Sequence, residues 1–195
     1  MLGNVKEDYV RDTSGQAGTM TIMAPVRRAD VGLLLGALDA LQPAAPAFAA
    51  CERLHYARFV LLQSVADQAP RIPATRLDRP RLLFTASFDG PERSFVEELR
   101  QAVAAAGEDG GLSWANVAWG CCEGYPGAGS AGAFALYFAC HRVPTTEFIA
   151  AYGDATVQEV RNALRLQASL RQFALEVQAA QAAELRTAFM EAFPC

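Results

Sequence analysis

The apolar and polar positions of this chain alternate with a period of two in three segments, which predicts three β-strands. The segments are residues 19–26, 54–62 and 81–89. In the third segment one face is wholly apolar, and it consists of Leu82, Phe84, Ala86 and Phe88. The other face mixes Leu83 with the polar residues Thr85, Ser87 and Asp89. The apolar face is expected to carry helices, so the mixed face needs a different covering.

Apolar residues three and four positions apart predict helices at residues 29–41, 91–106, 131–141 and 157–193. The third of these is bulky nearly all round, which predicts a buried helix. The last is long for a globular protein, and its alanine- and glutamine-rich stretch near residues 178–183 predicts a break. Its apolar residues form a broad face suited to a partner helix or a second subunit: Val160, Leu164, Leu166, Leu170, Phe173 and Val177.

The remaining segments complete the predicted fold. Residues 112–122 predict a fourth strand, residues 147–152 a short extra strand, and the proline-containing residues 63–80 an irregular loop. The order β-α-β-β-α-β predicts an α+β fold with a ferredoxin-like antiparallel sheet of four strands and both helices on one face. The expected divisions are a flexible lead-in at 1–18, the ferredoxin-like core at 19–125, and a helical C-terminal extension at 126–195 that packs on the core.

Composition narrows the class of protein. Of the 195 residues, 52% are hydrophobic and 19% are charged, which supports a folded core and excludes a disordered chain. The net charge of −4 argues against a nucleic-acid partner. No apolar run is long enough to predict an integral membrane segment. The polar residues 1–18 do not resemble a signal peptide, so a cytoplasmic location is expected.

Two polar residues of the second strand, His55 and Arg58, are candidates for catalysis. A period of two places them on opposite faces, so they share one pocket only if the strand bulges. His55 then serves as an acid or base while Arg58 and Asp89 orient a substrate. Alternatively, one of the two is a structural hydrogen-bonding group and the other pairs with Asp89. Asp89 is also expected to cap the turn into the following helix.

The segment from Cys121 to Gly127 concentrates chemical groups after the predicted fourth strand. It contains two thiols, the carboxylate of Glu123 and the phenol of Tyr125. Cys122 is a candidate nucleophile if its pKa is lowered and a histidine lies nearby. The alternative is a packed strand end followed by a glycine-rich turn. The five cysteines of the chain match no zinc spacing, so no metal site is expected.

His141 follows the predicted helix at 131–141. A histidine at a helix C-terminus is stabilised by the helix dipole, which explains the residue without a function. The alternative is a role in cofactor binding, as an axial haem ligand, or in proton transfer.

Three stretches carry a resemblance to a known group of proteins: LHYARFVLL at 54–62, LLFTASFDGP at 82–91, and HRVPTTEFIAAYGDATVQEVRNAL at 141–164. They resemble an uncharacterised bacterial family with H-F-A-R, F-D-G, E-G-[FY]-P and H-x-[IV]-P-T motifs, and the likeness covers about residues 19–175. The family is loosely associated with peroxidase-type gene contexts. The architecture is also similar to that of dimeric α+β barrel proteins, which include small monooxygenases, haem-degrading enzymes and dye-decolorising peroxidases.

These observations predict a homodimeric protein that binds an apolar small molecule between the mixed sheet face and the C-terminal helices. If it is an enzyme, the prediction is oxidative chemistry, haem-dependent or cofactor-independent, on an aromatic or lipid-like substrate. The alternative is a non-catalytic interaction module that binds a partner protein through its C-terminal helix.

Overall fold

The computed structural model describes residues 12–39, 48, 51–65, 75–105, 113–178 and 180–193. In chain order these residues form β1 (Thr13–Ser14), β2 (Ala17–Pro25), a 3-10 turn (Arg28–Asp30), α1 (Val31–Asp39), β3 (Leu54–Val65), β4 (Thr75–Asp89), α2 (Glu92–Ala105), α3 (Ser113–Gly120), α4 (Ala131–Cys140), α5 (Val157–Glu176) and α6 (Ala182–Ala192). The chain divides into two compact units, Met1–Val157 and Gln158–Cys195. An antiparallel sheet combined with helices confirms the predicted α+β class.

The four strands lie in the order β1-β2-β4-β3, and every pair is antiparallel. The register places Phe84 at the centre of the sheet, opposite Ile22 of β2 and Phe59 of β3. Residues directly opposite in an antiparallel pair project to the same side, so these three side chains form one row of the core. The predicted apolar face of β4 is therefore correct.

Helices cover this apolar face. The core side of α2 consists of Phe95, Val96, Leu99 and Val103, all buried. Phe95 stacks on Phe88 of β4 with ring centroids 4.2 Å apart. Trp119 of α3 is fully buried and meets Phe84 edge to face at 5.4 Å. Burial of each such ring contributes about 2–3 kcal/mol to the stability of the first unit.

The fourth strand predicted at residues 112–122 is wrong, because Ser113–Gly120 forms α3. Its buried residues Ala115, Ala118 and Trp119 are three and four positions apart, which is the spacing of a helix face. The free edge of β2 is instead occupied by β1 and by single bridges to Cys122 and Arg142. The strands β2, β4 and β3 keep the order that the predicted topology requires, while the fourth strand has a different origin.

Other expectations change in detail. In the loop predicted at 63–80 the described residues are strand, because β3 continues to Val65 and β4 begins at Thr75; residues 66–74 lie outside the described part. Within the expected lead-in at 1–18, Thr13–Ser14 pairs with residues 17–18 in the sheet; residues 1–11 are not described. The strand predicted at 147–152 is wrong, since these residues have no strand pairing among the described residues.

The helical predictions fare better. The predicted break in the last helix is confirmed, since α5 ends at Glu176 and α6 begins at Ala182. The helix predicted at 131–141 is α4, which begins after Ser130. It is buried on one side only, because Leu136 is 64% exposed. The side chains of Phe134 and Phe138 belong to the core of the first unit, whereas the sequence suggested a boundary after residue 125.

Within the described residues, no helix combines the length and the apolar character needed to cross a membrane.

Candidate functional site

His55 is the extra residue of a β-bulge in β3. The register between β3 and β4 shifts between Leu54 and Tyr56, so His55 has no partner residue on β4. A bulge redirects the side chain at the extra position. The Nε2 atom of His55 lies 2.6 Å from Oδ1 of Asp89, which projects from the mixed face of β4. The two residues form a hydrogen-bonded pair at the end of the sheet.

Asp89 binds a second group as well. Its Oδ2 atom accepts the backbone N–H of Val157, the first residue of α5, at 2.7 Å. The carboxylate therefore stabilises the start of α5, and the expectation that it caps the turn into α2 is wrong. The Asp89 side chain is 13% exposed and that of His55 is 25% exposed. Because the carboxylate is the acceptor, Nε2 of neutral His55 carries the proton, and Nδ1 is the basic nitrogen.

Arg58 lies on the same face as this pair. It is opposite Thr85, and Thr85 alternates with Asp89 on the mixed face of β4. The sequence made a bulge the condition for His55 and Arg58 to share a face, and the register shift between Leu54 and Tyr56 is such a bulge. Arg58 is exposed, and its guanidinium has no ion-pair partner among the described residues.

The mixed face, here called the open face, changes from polar to apolar along the strands. From the His55 end its rows are Tyr56–Ser87–Thr19, Arg58–Thr85–Thr21, Val60–Leu83–Met23 and Leu62–Arg81–Pro25. Except for Thr19, the side chains of these rows are half-buried or exposed. Arg58 and Arg81 lie on either side of the apolar row, about 13 Å apart along the strands. The open face is thus amphipathic and carries two cationic groups.

The Cys121–Cys122 pair does not fit a nucleophilic role. Both residues are buried, and the Sγ atom of Cys122 lies 3.7 Å from the carbonyl oxygen of Ala118, to which the thiol donates. Burial raises the pKa of the Cys122 thiol to about 12 and also raises that of Cys121. A nucleophilic cysteine needs the opposite shift. The alternative, a packed segment before a glycine-rich turn, describes these residues, with α3 in place of the predicted strand.

Tyr125 and Glu123 do not converge with the thiols on one accessible site. Burial raises the pKa of Tyr125 to about 12, and its hydroxyl has no hydrogen-bond partner within the described part of the chain. The buried hydroxyl of Tyr137 also has no hydrogen-bond partner among the described residues, and burial together with the neighbouring Cys122 thiol raises the pKa of Tyr137. Glu123 forms a surface ion pair with Arg79 at 2.8 Å, which contributes little stability. Tyr125 is therefore a core residue and Glu123 a surface residue.

His141 ends α4 as the dipole argument predicts. Its Nδ1–H donates to the carbonyl oxygen of Tyr137 at 2.9 Å, and the two rings lie 4.3 Å apart. Its own carbonyl accepts the N–H of Met23, which ties α4 to the edge of β2. Nε2 is the ring nitrogen without the proton. Its role as a haem ligand or proton shuttle stays a prediction.

One charged cluster could not be found from the sequence. Arg142 binds the carboxylate of Asp12 and lies 2.8 Å from Oε2 of Glu92. Burial raises the pKa of Glu92, and the nearby Arg142 partly offsets that shift. These residues are far apart in the chain, and no spacing links them. The cluster fastens the segment before β1 to the start of α2.

An open cleft of about 500 Å³ lies along the outer side of α2. Its charged groups largely neutralise one another, since Arg53 pairs with Glu98 at 3.2 Å. Among the described residues, no group of three or more histidine, cysteine, aspartate or glutamate side chains is placed to hold a metal ion.

Comparison with known proteins gives no match: no family model, no curated protein and no solved structure is significantly similar to this chain.

Proposed function

We propose that this protein binds a small amphipathic organic acid on the open face of its sheet. The acid group binds Arg58, and the hydrocarbon or aromatic part lies over the row of Val60, Leu83 and Met23. The observation that carries the proposal is the bulge at His55, because it gathers His55, Arg58 and Asp89 on one face.

Charge supports an anionic ligand. The Arg58 guanidinium is exposed and has no ion-pair partner in the described part of the chain. A guanidinium binds a carboxylate through two parallel hydrogen bonds, so an organic acid matches both its charge and its shape. Asp89 is the carboxylate at this end of the face, and it is already bound to His55 and to the N–H of Val157.

The apolar row supports a ligand with a hydrophobic part. Val60, Leu83 and Met23 follow directly after the row of Arg58, about 7 Å further along the strands. These side chains are only half-buried, so a ligand would remove further apolar surface from water. Two copies paired through this face in a dimeric barrel would instead bring four guanidinium groups together, which repulsion opposes.

The His55–Asp89 pair gives this site a group for proton transfer. With Nε2–H donated to Asp89, the Nδ1 atom of His55 can accept a proton from an acidic position of the ligand. The hydrogen bond to Asp89 fixes the orientation of the His55 ring. The oxidative chemistry expected from the sequence needs an oxidant besides these residues and stays a prediction.

Calorimetric titration with decanoate tests the binding proposal. We expect saturable binding at one site per chain, and about tenfold weaker binding for Arg58→Gln. Decanol has the same hydrocarbon chain without the charge. We expect the wild-type protein to bind decanol no more tightly than Arg58→Gln binds decanoate. The matched control is Arg93→Gln, because Arg93 is an exposed arginine on α2, which packs on the other face of the sheet.

Two results would contradict the proposal. One is the absence of decanoate binding to the wild-type protein. The other is equal binding by Arg58→Gln and Arg93→Gln, which would place the ligand elsewhere.

A further inference from the structure

The open face carries a second arginine beyond its apolar row. Arg81 of β4 lies opposite Leu62 of β3 and Pro25 of β2, so it stands between two apolar residues. The residue is half-buried, and its guanidinium has no ion-pair partner among the residues that the structure describes. A half-buried cation without a counterion is unfavourable, because it has lost part of its hydration without gaining an opposite charge.

The carboxylate at this end of the sheet is already bound. The backbone N–H of Glu123 donates to the carbonyl oxygen of Pro25 at 2.8 Å, which places Glu123 beside the end of β2. Its carboxylate lies 2.8 Å from the guanidinium of Arg79. Asp89 is eight residues from Arg81 along β4, or about 26 Å, which is too far to neutralise it.

The pairing of β3 with β4 fixes the separation of the two unpaired arginines. Arg58 lies opposite Thr85, which is four residues after Arg81 on β4. Four residues of a strand span about 13 Å. The row of Val60, Leu83 and Met23 lies between the two arginines. The open face therefore presents a cation, an apolar row and a second cation in that order.

An acid with one carboxylate matches only one end of this pattern. An extended chain of ten carbons is about 11 Å long between its end carbons, for bonds of about 1.5 Å and angles near 111°. With its carboxylate on Arg58, the far end of such a chain lies beside Arg81. A methyl group there would remove water from the guanidinium without pairing its charge. A second carboxylate at that end pairs the charge through two parallel hydrogen bonds.

We infer that the ligand of the open face is an α,ω-dicarboxylic acid, with one carboxylate on Arg58, the other on Arg81, and the hydrocarbon chain over the apolar row. This inference rests on the proposed function, because it requires that an acid group binds Arg58. It makes Arg81 the residue that distinguishes diacids from monoacids. The discrimination comes from the penalty for covering an unpaired cation with the apolar end of a monoacid.

Calorimetric titration with decanedioate and decanoate tests the inference, because the two ligands have the same length and differ by one carboxylate. We expect the wild-type protein to bind decanedioate at least about tenfold more tightly than decanoate, which is more than the factor of about two that its two equivalent ends supply. The monomethyl ester of decanedioate keeps the chain and loses one charge. We expect it to bind no more tightly than decanoate.

The variant Arg81→Gln separates the roles of the two arginines. It is expected to weaken decanedioate binding at least about tenfold and to bind decanoate at least as tightly as the wild-type protein does. Retained decanoate binding also shows that the variant is folded. Arg81→Lys keeps the charge and should retain a preference for the diacid. The matched control Arg93→Gln, an exposed arginine of α2, should leave both affinities unchanged.

Two results would overturn the inference and leave the proposed acid site standing. One is decanedioate binding to the wild-type protein that is no tighter than decanoate binding, a comparison that needs no variant. The other is equal decanedioate binding by the wild-type protein and Arg81→Gln. The absence of binding by both ligands would overturn the inference together with the proposed function.

Discussion

Substitution of Asp89 by alanine is expected to destabilise the folded protein more than a substitution at the end of a sheet usually does. The change removes two hydrogen bonds to one carboxylate, at 2.6 Å from His55 and 2.7 Å from the N–H of Val157. Hydrogen bonds to a charged group contribute about 1.5–3 kcal/mol each when they are buried. The side chain of Asp89 is 13% exposed and that of His55 is 25% exposed. Water can therefore replace part of the hydrogen bonding that the carboxylate provided.

The expected decrease in the free energy of unfolding is therefore about 2–3 kcal/mol, measured by urea denaturation followed by circular dichroism. The exposed Asp78 of the same strand provides the control, and Asp78→Ala is expected to stay within about 0.5 kcal/mol of wild type. Asp89→Asn retains one acceptor oxygen and should recover about half of the loss. Equal stability of Asp89→Ala and Asp78→Ala would refute the structural role assigned to this carboxylate.

Three further predictions follow from the packing and the thiols. Gly153→Ala is expected to lower the free energy of unfolding by at least about 2 kcal/mol, because the new Cβ would collide with a backbone oxygen of β1. The control Gly132→Ala places its Cβ where no atom lies within 4 Å, so it should be neutral or slightly stabilising. Urea denaturation of both variants measures the difference. Iodoacetamide at neutral pH is expected to label exposed Cys140 and to spare Cys122, and peptide mapping that finds equal labelling would contradict the raised pKa. The free energy of unfolding should also fall as the pH rises from 9.0 to about 12, because the Cys122 thiol loses its proton at lower pH in the unfolded chain than in the folded one. The expected decline is up to about 1.4 kcal/mol per pH unit. The variant Cys122→Ala should show a shallower decline.

The parts of the fold with strict periodicity could be predicted from the sequence. In β4 the alternation of Leu82, Phe84, Ala86 and Phe88 identified the core face correctly, because the opposite face of this strand carries polar residues. The α2 helix has an equally clear stripe. The segment that forms α3 is only eight residues long, and a short apolar stretch does not distinguish a strand from a helix by its pattern alone.

The candidate site depended on information that a single strand does not carry. The bulge at His55 is a property of the pairing between β3 and β4, so the residues of β3 alone predict regular alternation. The sequence identified His55, Arg58 and Asp89 as candidates, and it named a bulge as the condition for His55 and Arg58 to share a face. The role of Asp89 at the start of α5 could not be predicted, because it joins residues 68 positions apart.

The most direct test of the proposed ligand site is nuclear magnetic resonance of protein labelled in its histidine rings. The chain has only two histidines, so His141→Gln assigns both sets of signals. His55 is expected to show the Nε2-protonated tautomer, and His141 the Nδ1-protonated one. Addition of decanoate should shift the His55 signals in a saturable manner and leave those of His141 unchanged. Signals of His55 that do not respond at saturating decanoate, or that move no more than those of His141, would contradict a ligand site on the open face.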